Sequence, residues 1–203
     1  MHVMVKYNGT NEKVKLQITC PDQSCYTYLI SDRGAYDTFP LTAGNGSYAL
    51  QVLENVAGDT YTVSLAQSIN VSIEDEFLPF LYPNQYVNFH TDSKAVSKGS
   101  DLAKDTYSDL DVVQDIYNYV IKNISYDTEK AQNVSYGYVP DVDDTLSSKK
   151  GICFDYAALM TSMLRSQNIP TKLEVGYSGD AYHAWISTYI DDKGWVDDII
   201  QFD

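Results

Sequence analysis

Between Val14 and Ile73 the apolar residues fall at every second position, in runs too short for helices. The runs are Val14, Leu16, Ile18 and Cys20, then Tyr26, Tyr28 and Ile30, then Tyr48, Leu50 and Val52. Tyr61, Val63 and Leu65 follow, and then Ile69, Val71 and Ile73. Successive side chains of a strand point to opposite faces, so each run buries one face and leaves the other in water. Turn signals separate the runs: Asn8-Gly9, Pro21-Asp22, Asp32-Arg33-Gly34, Gly44-Asn45-Gly46 and Gly58-Asp59. The pattern predicts an antiparallel, Ig-like β-sandwich over residues 1–75.

Residues 76–100 show no clear period. Pro79 and Pro83 interrupt the apolar stretch from Phe77 to Tyr82, which suits an ordered connector and not a helix. Beyond it the period becomes helical. Val112, Val113, Ile116, Tyr117, Val120, Ile121 and Ile124 form one apolar stripe, with Ser108 and Asp109 at the expected cap. A loop rich in Tyr, Asp and Pro follows, and a second helix is expected from about Cys153 to Gln167, stopped by Ile169-Pro170. Strand-like runs at 171–177, 182–190 and 194–202 complete an α+β module over residues 101–203. Its pattern stops mid-strand at Gln201-Phe202-Asp203, as though a further strand followed.

The 203 residues carry 28 Asp plus Glu against 14 Lys plus Arg, a formal charge of −14. That balance argues against a nucleic-acid partner. The excess is concentrated after residue 100, where 18 acids face 8 bases. No apolar run approaches the ~20 residues of a membrane helix, and the first residues lack the pattern of an export signal.

Chemistry concentrates in Lys150-Gly151-Ile152-Cys153-Phe154-Asp155-Tyr156-Ala157. Gly151 permits a tight entry into the helix, which puts Cys153 at its N-terminus. Unpaired N–H groups and the helix dipole there favour a thiolate, and the Cys153 backbone N–H could serve an oxyanion. A base is available in Tyr182-His183-Ala184-Trp185-Ile186-Ser187, a strand with His183, Trp185 and Ser187 on one face.

Four elements in order carry a resemblance: Gly151-Ile152-Cys153-Phe154-Asp155-Tyr156-Ala157, Met163-Leu164-Arg165-Ser166-Gln167-Asn168-Ile169-Pro170, Val175-Gly176-Tyr177 and His183-Ala184-Trp185. Over residues 105–203 the chain resembles the transglutaminase-like superfamily. The resemblance implies a papain-like α+β core with a Cys-His-Asp triad that acts on peptide or protein amides. Cys153 would be the nucleophile and His183 the base, with no cofactor. Its expected activity is that of a cysteine protease. A cross-linking transglutaminase and a non-catalytic surface-binding protein on the same fold are the alternatives.

The triad Asp is expected at Asp198, after Trp195 at the family's spacing, although Ile199 follows it where the family often has Pro. Asp197 and Asp203 are neighbouring alternatives, and the partner could also lie beyond residue 203. Tyr138 and Tyr126 are candidates for a second oxyanion donor. Asp155 reads as a first-turn dipole partner or cap, and Arg165 as a structural ion-pair partner.

Asp141, Asp143 and Asp144 lack the EF-hand spacing, and no Cys or His pair has zinc-ligand spacing, so no metal is expected. Cys20 and Cys25 flank a four-residue turn and are a disulfide candidate. With the acidity and the sandwich, that bridge would fit an extracellular or cell-surface protein whose export signal is absent from this sequence.

Overall fold

The computed structural model describes residues 1–30 and 34–200, leaving aside the side chains of 178, 181 and 198–200. The Asp32-Arg33 turn signal therefore lies outside the described residues. The chain divides into two compact units, Met1–Pro79 and Phe80–Asp203.

The first unit contains strands β1 (His2–Lys6), β2 (Val14–Thr19), β3 (Cys25–Leu29), β4 (Tyr36–Pro40), β5 (Gly46–Ala57) and β6 (Thr60–Val71). They form two antiparallel sheets, ordered β3-β2-β5-β6 and β1-β4. The alternation in β2 is fully expressed, since Val14, Leu16, Ile18 and Cys20 are buried with Phe39, Leu41 and Tyr48. In β6 it is not: Val63 and Leu65 are about half exposed, at 50% and 57%.

The register corrects the expected disulfide. Cys25 pairs with Thr19, so Cys20 is one residue out of step with it. Side chains alternate along a strand, and the two thiols consequently point to opposite faces. Cys20 is buried in the core, Cys25 is exposed, and both are free.

The second unit's first α-helix is α1 (Lys94–Ala103), which overlaps the segment expected to be a connector. Its inward positions Ala95, Gly99, Leu102 and Ala103 keep helical spacing but are mostly small. Gly99 is there for contact: a β-carbon would come 3.1 Å from the Met163 carbonyl oxygen of the central helix. The Asp143 carboxylate accepts from the Lys94 and Ala95 N–H groups and caps α1 from outside.

Helix α2 (Asp109–Asn123) follows, with the Ser108 hydroxyl accepting from the Asp111 N–H as its cap. The expected loop then holds strand β7 (Ser125–Tyr126), helix α3 (Thr128–Gln132), helix α4 (Val142–Ser148) and strand β8 (Lys150–Gly151). Asp127 caps α3, and Asp141 caps α4 through the Asp143 and Asp144 N–H groups. The acidic residues near 141 thus serve as helix caps.

Helix α5 (Cys153–Ser166) is buried on all sides from Asp155 to Arg165, as only a central helix can be. It packs against Val112, Ile116 and Val120 of α2 and against the antiparallel sheet β11-β10-β9. The strands are β9 (Thr171–Ser178), β10 (Ala181–Ile190) and β11 (Gly194–Ile200). At the end of α5, Asn168 takes a left-handed conformation (φ 62°) that turns the chain into Ile169-Pro170.

Arg165, expected in an ion pair, has no carboxylate partner among the described residues. Its guanidinium is buried and donates to backbone carbonyls: Nε and Nη2 to Thr171 at 3.0 and 2.8 Å, Nη1 to Tyr82 at 2.7 Å. Burial lowers its pKa to about 9. The fork thereby ties Tyr82 to the start of β9.

Candidate active site

Cys153 is the first residue of α5 and is half-buried. Its position follows from the residues around it. Asp155, fully buried two residues on, folds back so that its Oδ2 accepts from the Ile152 N–H at 2.8 Å. This forces a glycine at 151, where a β-carbon would lie 2.7 Å from the Asp155 Cβ. Gly151 is required for space, and the motif's glycine and acid are one packing unit. Ile152 at the cap has no polar side chain, and among the described residues no side chain accepts from the N–H groups of Cys153 and Phe154.

The Asp155 carboxylate also receives the Lys130 ammonium at 2.7 Å and the Tyr138 hydroxyl. Lys130 donates in addition to the Tyr138 oxygen at 2.6 Å, closing a ring of three side chains. Tyr138 therefore does not occupy the expected oxyanion role: its single proton is donated to Asp155. Burial first, and then this carboxylate, push the Tyr138 phenol far above its ordinary range. Sequence spacing gives no sign of the ring, because Lys130, Tyr138 and Asp155 belong to three separate segments.

Tyr126 stands beside the helix start. Strand β7 pairs in parallel with β8, which puts Tyr126 opposite Gly151, two residues before Cys153. Its phenol is pushed up by burial and secondarily by the Cys153 thiol. On the other side, Phe154 stacks edge-on with Tyr86 and Tyr138 at 5.3 and 6.5 Å between centroids.

His183 is the third residue of β10 and half-buried. Ala184, Ile186 and Ile190 join the core under α5, while His183, Trp185 and Ser187 make the alternate set. Gly176 of β9 stands directly across from His183. A β-carbon on it would come 3.0 Å from the Trp185 ring, so this glycine makes room for the indole beside His183. Ser187 donates to Glu174.

His183, opposite Gly176, lies near the start of β10, the strand that shares the core with α5 through Ala184, Ile186 and Ile190. No hydrogen bond joins Cys153 to His183 among the described residues. Asp197 is exposed on β11, whereas the Asp198 side chain and Asp203 lie outside the described residues.

A sequence profile of the transglutaminase-like superfamily matches residues 97–197, a span that includes Cys153 and His183. Residues 97–197 are a transglutaminase-like domain. Its α+β fold recurs in the crystal structure of a candidate cysteine protease from Cytophaga hutchinsonii. That structure aligns at a TM-score of 0.50 over 97% of this chain and 77% of the other, with 14% identity. Two curated relatives match part of this chain in sequence. One is a UPF0252 protein of Methanocaldococcus jannaschii, 31% identical over 98 residues, covering 42% of this chain and 28% of the relative. The other is the kyphoscoliosis peptidase of Mus musculus, 30% identical over 107 residues, covering 46% of this chain and 16% of the relative. The chain thus spans less than a third of the length of either.

Proposed function

We propose that the transglutaminase-like domain is a thiol-dependent acyl-transfer enzyme acting on peptide or protein amides, with hydrolysis as its outcome. The observation that carries this reading is the half-buried Cys153 as first residue of α5, with His183 on β10, a strand of the sheet that shares its core with that helix. A relative named as a peptidase supports water as the final acceptor.

His183 takes the thiol proton, and the Cys153 sulfur attacks the amide carbonyl carbon. The oxyanion is held by the Cys153 N–H, with the Tyr126 hydroxyl as second donor. Collapse breaks the C–N bond, His183 protonates the departing amine, and a thioester remains. Water, deprotonated by His183, then releases the acid and the free thiol. A carboxylate that orients the imidazole completes the reading, with Asp198 first in line and Asp197 or a residue beyond 203 as alternatives. The N-terminal unit is read as an Ig-like spacer or docking module of an extracytoplasmic protein. The free Cys20 and Cys25 lend that location no support, which leaves the acidic balance as its argument.

Intact-mass measurement after mixing with an activated peptide ester tests the reading. A single acyl adduct should form on Cys153, decay in water, and be absent in Cys153→Ala. Deacylation should slow by at least a hundredfold in His183→Ala. Transfer of the acyl group to an added primary amine in preference to water would favour cross-linking. No adduct, together with a Cys153 that alkylates with the pH dependence of an ordinary thiol (pKa about 8.5), would favour the non-catalytic binding protein.

A further inference from the structure

We propose that Lys130 is a positioning residue that neutralises Asp155 and so keeps the start of α5 favourable to a thiolate at Cys153. The inference deepens the acyl-transfer reading and rests on Cys153 being its nucleophile.

Asp155 presents a conflict. Its carboxylate is needed to hold the Ile152 N–H and shape the helix entry, yet it is a buried charge one turn from the sulfur. A bare carboxylate there would offset the positive potential of the helix N-terminus and repel a thiolate. Lys130 removes the conflict: its ammonium sits 2.7 Å from Oδ2 and is itself mostly buried, with 28% of its side chain exposed. Tyr138 closes the ring by donating to the other oxygen and accepting from Lys130, whose ammonium also lies 4.3 Å over the Tyr138 ring. Backbone bonds from Ser125 to Lys149 and from Asp127 to Gly151 fasten the segment bearing Lys130 to the one bearing Cys153.

Other titratable groups lie on the elements around the helix start. Tyr126 lies on β7, and Tyr86 lies across Phe154 with Tyr182 acting on it. His183 stands at the head of β10, and Asp141 and Asp144 act on Tyr138 from the side of α4. Lys149 and Lys150 are exposed. Lys130 is the cation in direct contact with Asp155.

The test is the pH profile of iodoacetamide alkylation of Cys153, followed by intact mass in a Cys25→Ser background with Cys153→Ala as the blank. Lys130→Met should move the midpoint up by about one pH unit, a tenfold loss of thiolate at a pH below it. Asp155→Asn, which keeps the shape and leaves the ammonium unopposed, should move the midpoint down. The double variant should return close to the parent value, and Lys130→Arg should hold it. A purely structural ring would not produce shifts of opposite sign that cancel. Equal midpoints in the parent and Asp155→Asn, or shifts of the same sign in both single variants, would overturn the inference. Lys130→Met could fail to fold, and in that case the Asp155→Asn and Lys130→Arg profiles decide. These differences between variants are read whether or not the parent turns over an ester, so the acyl-transfer reading can fail separately.

Discussion

The side chain of Asp155 lies against the backbone of Gly151, with no room for a β-carbon between them and its Oδ2 on the Ile152 N–H. The glycine two residues before Cys153 and the acid two residues after it are therefore halves of one contact, which fixes how the chain enters α5.

Gly151→Ala should consequently destabilise the protein by about 1–3 kcal/mol, as overpacking does elsewhere. Urea unfolding measures this. Gly151 is not in the left-handed region, so the loss comes from the collision. Combining Gly151→Ala with Asp155→Ala should give less than the sum of the two single losses, and strict additivity would remove the contact as the cause.

Arg165 bridges Tyr82 and Thr171 through a fork of three donors. Arg165→Met should cost roughly 2 kcal/mol or more, because the buried Thr171 carbonyl loses both of its guanidinium donors. Arg165→Lys should recover less than half, since one ammonium cannot reach both carbonyls with the same geometry. Full recovery in Lys would mean that charge, and not the fork, holds the segment.

Cys20 and Cys25 make a prediction about reagents. In the native protein a thiol-specific chromogenic reagent should modify Cys25 rapidly and Cys20 only after unfolding, as Cys25→Ser and Cys20→Ser variants will assign. Reductant should leave the thermal midpoint where it was. A midpoint that falls on reduction would mean the two residues are bridged.

Alkaline pH should unfold the protein. Burial is the first cause that raises the phenols of Tyr48, Tyr86, Tyr126, Tyr138 and Tyr156 above their ordinary value of 10. A raised folded-state pKa stabilises fully below the unfolded value and loses that contribution as pH climbs past it. The urea midpoint should therefore be level up to about pH 9 and fall beyond pH 10. Tyr138→Phe should make the fall shallower. An identical slope in the variant would show that Tyr138 ionises alike in both states.

Much of this was legible in the residues. The alternation of Val14, Leu16, Ile18 and Cys20 and the stripe from Val112 to Ile124 produced the strand and the helix they predict, because burial of one face dictates the spacing. Helix α1 was hidden because its inward positions are mostly small (Ala95, Gly99 and Ala103 beside Leu102), so its helical spacing carries little apolar weight. Helices α3 and α4 were hidden because they are short and held by the Asp127 and Asp141 caps.

At the site, the linear order of Gly151, Cys153, Gly176, His183 and Trp185 was enough to name the family and the two residues on which the proposed chemistry rests. Local spacing carries that much, since a helix start and a strand face are properties of a few neighbouring residues. The ring of Lys130, Tyr138 and Asp155, the carbonyl clamp of Arg165 and the opposite faces of Cys20 and Cys25 were decided by tertiary structure. Each depends on which segment packs against which and in what register, and a one-residue change of register reverses the direction of every side chain on a strand.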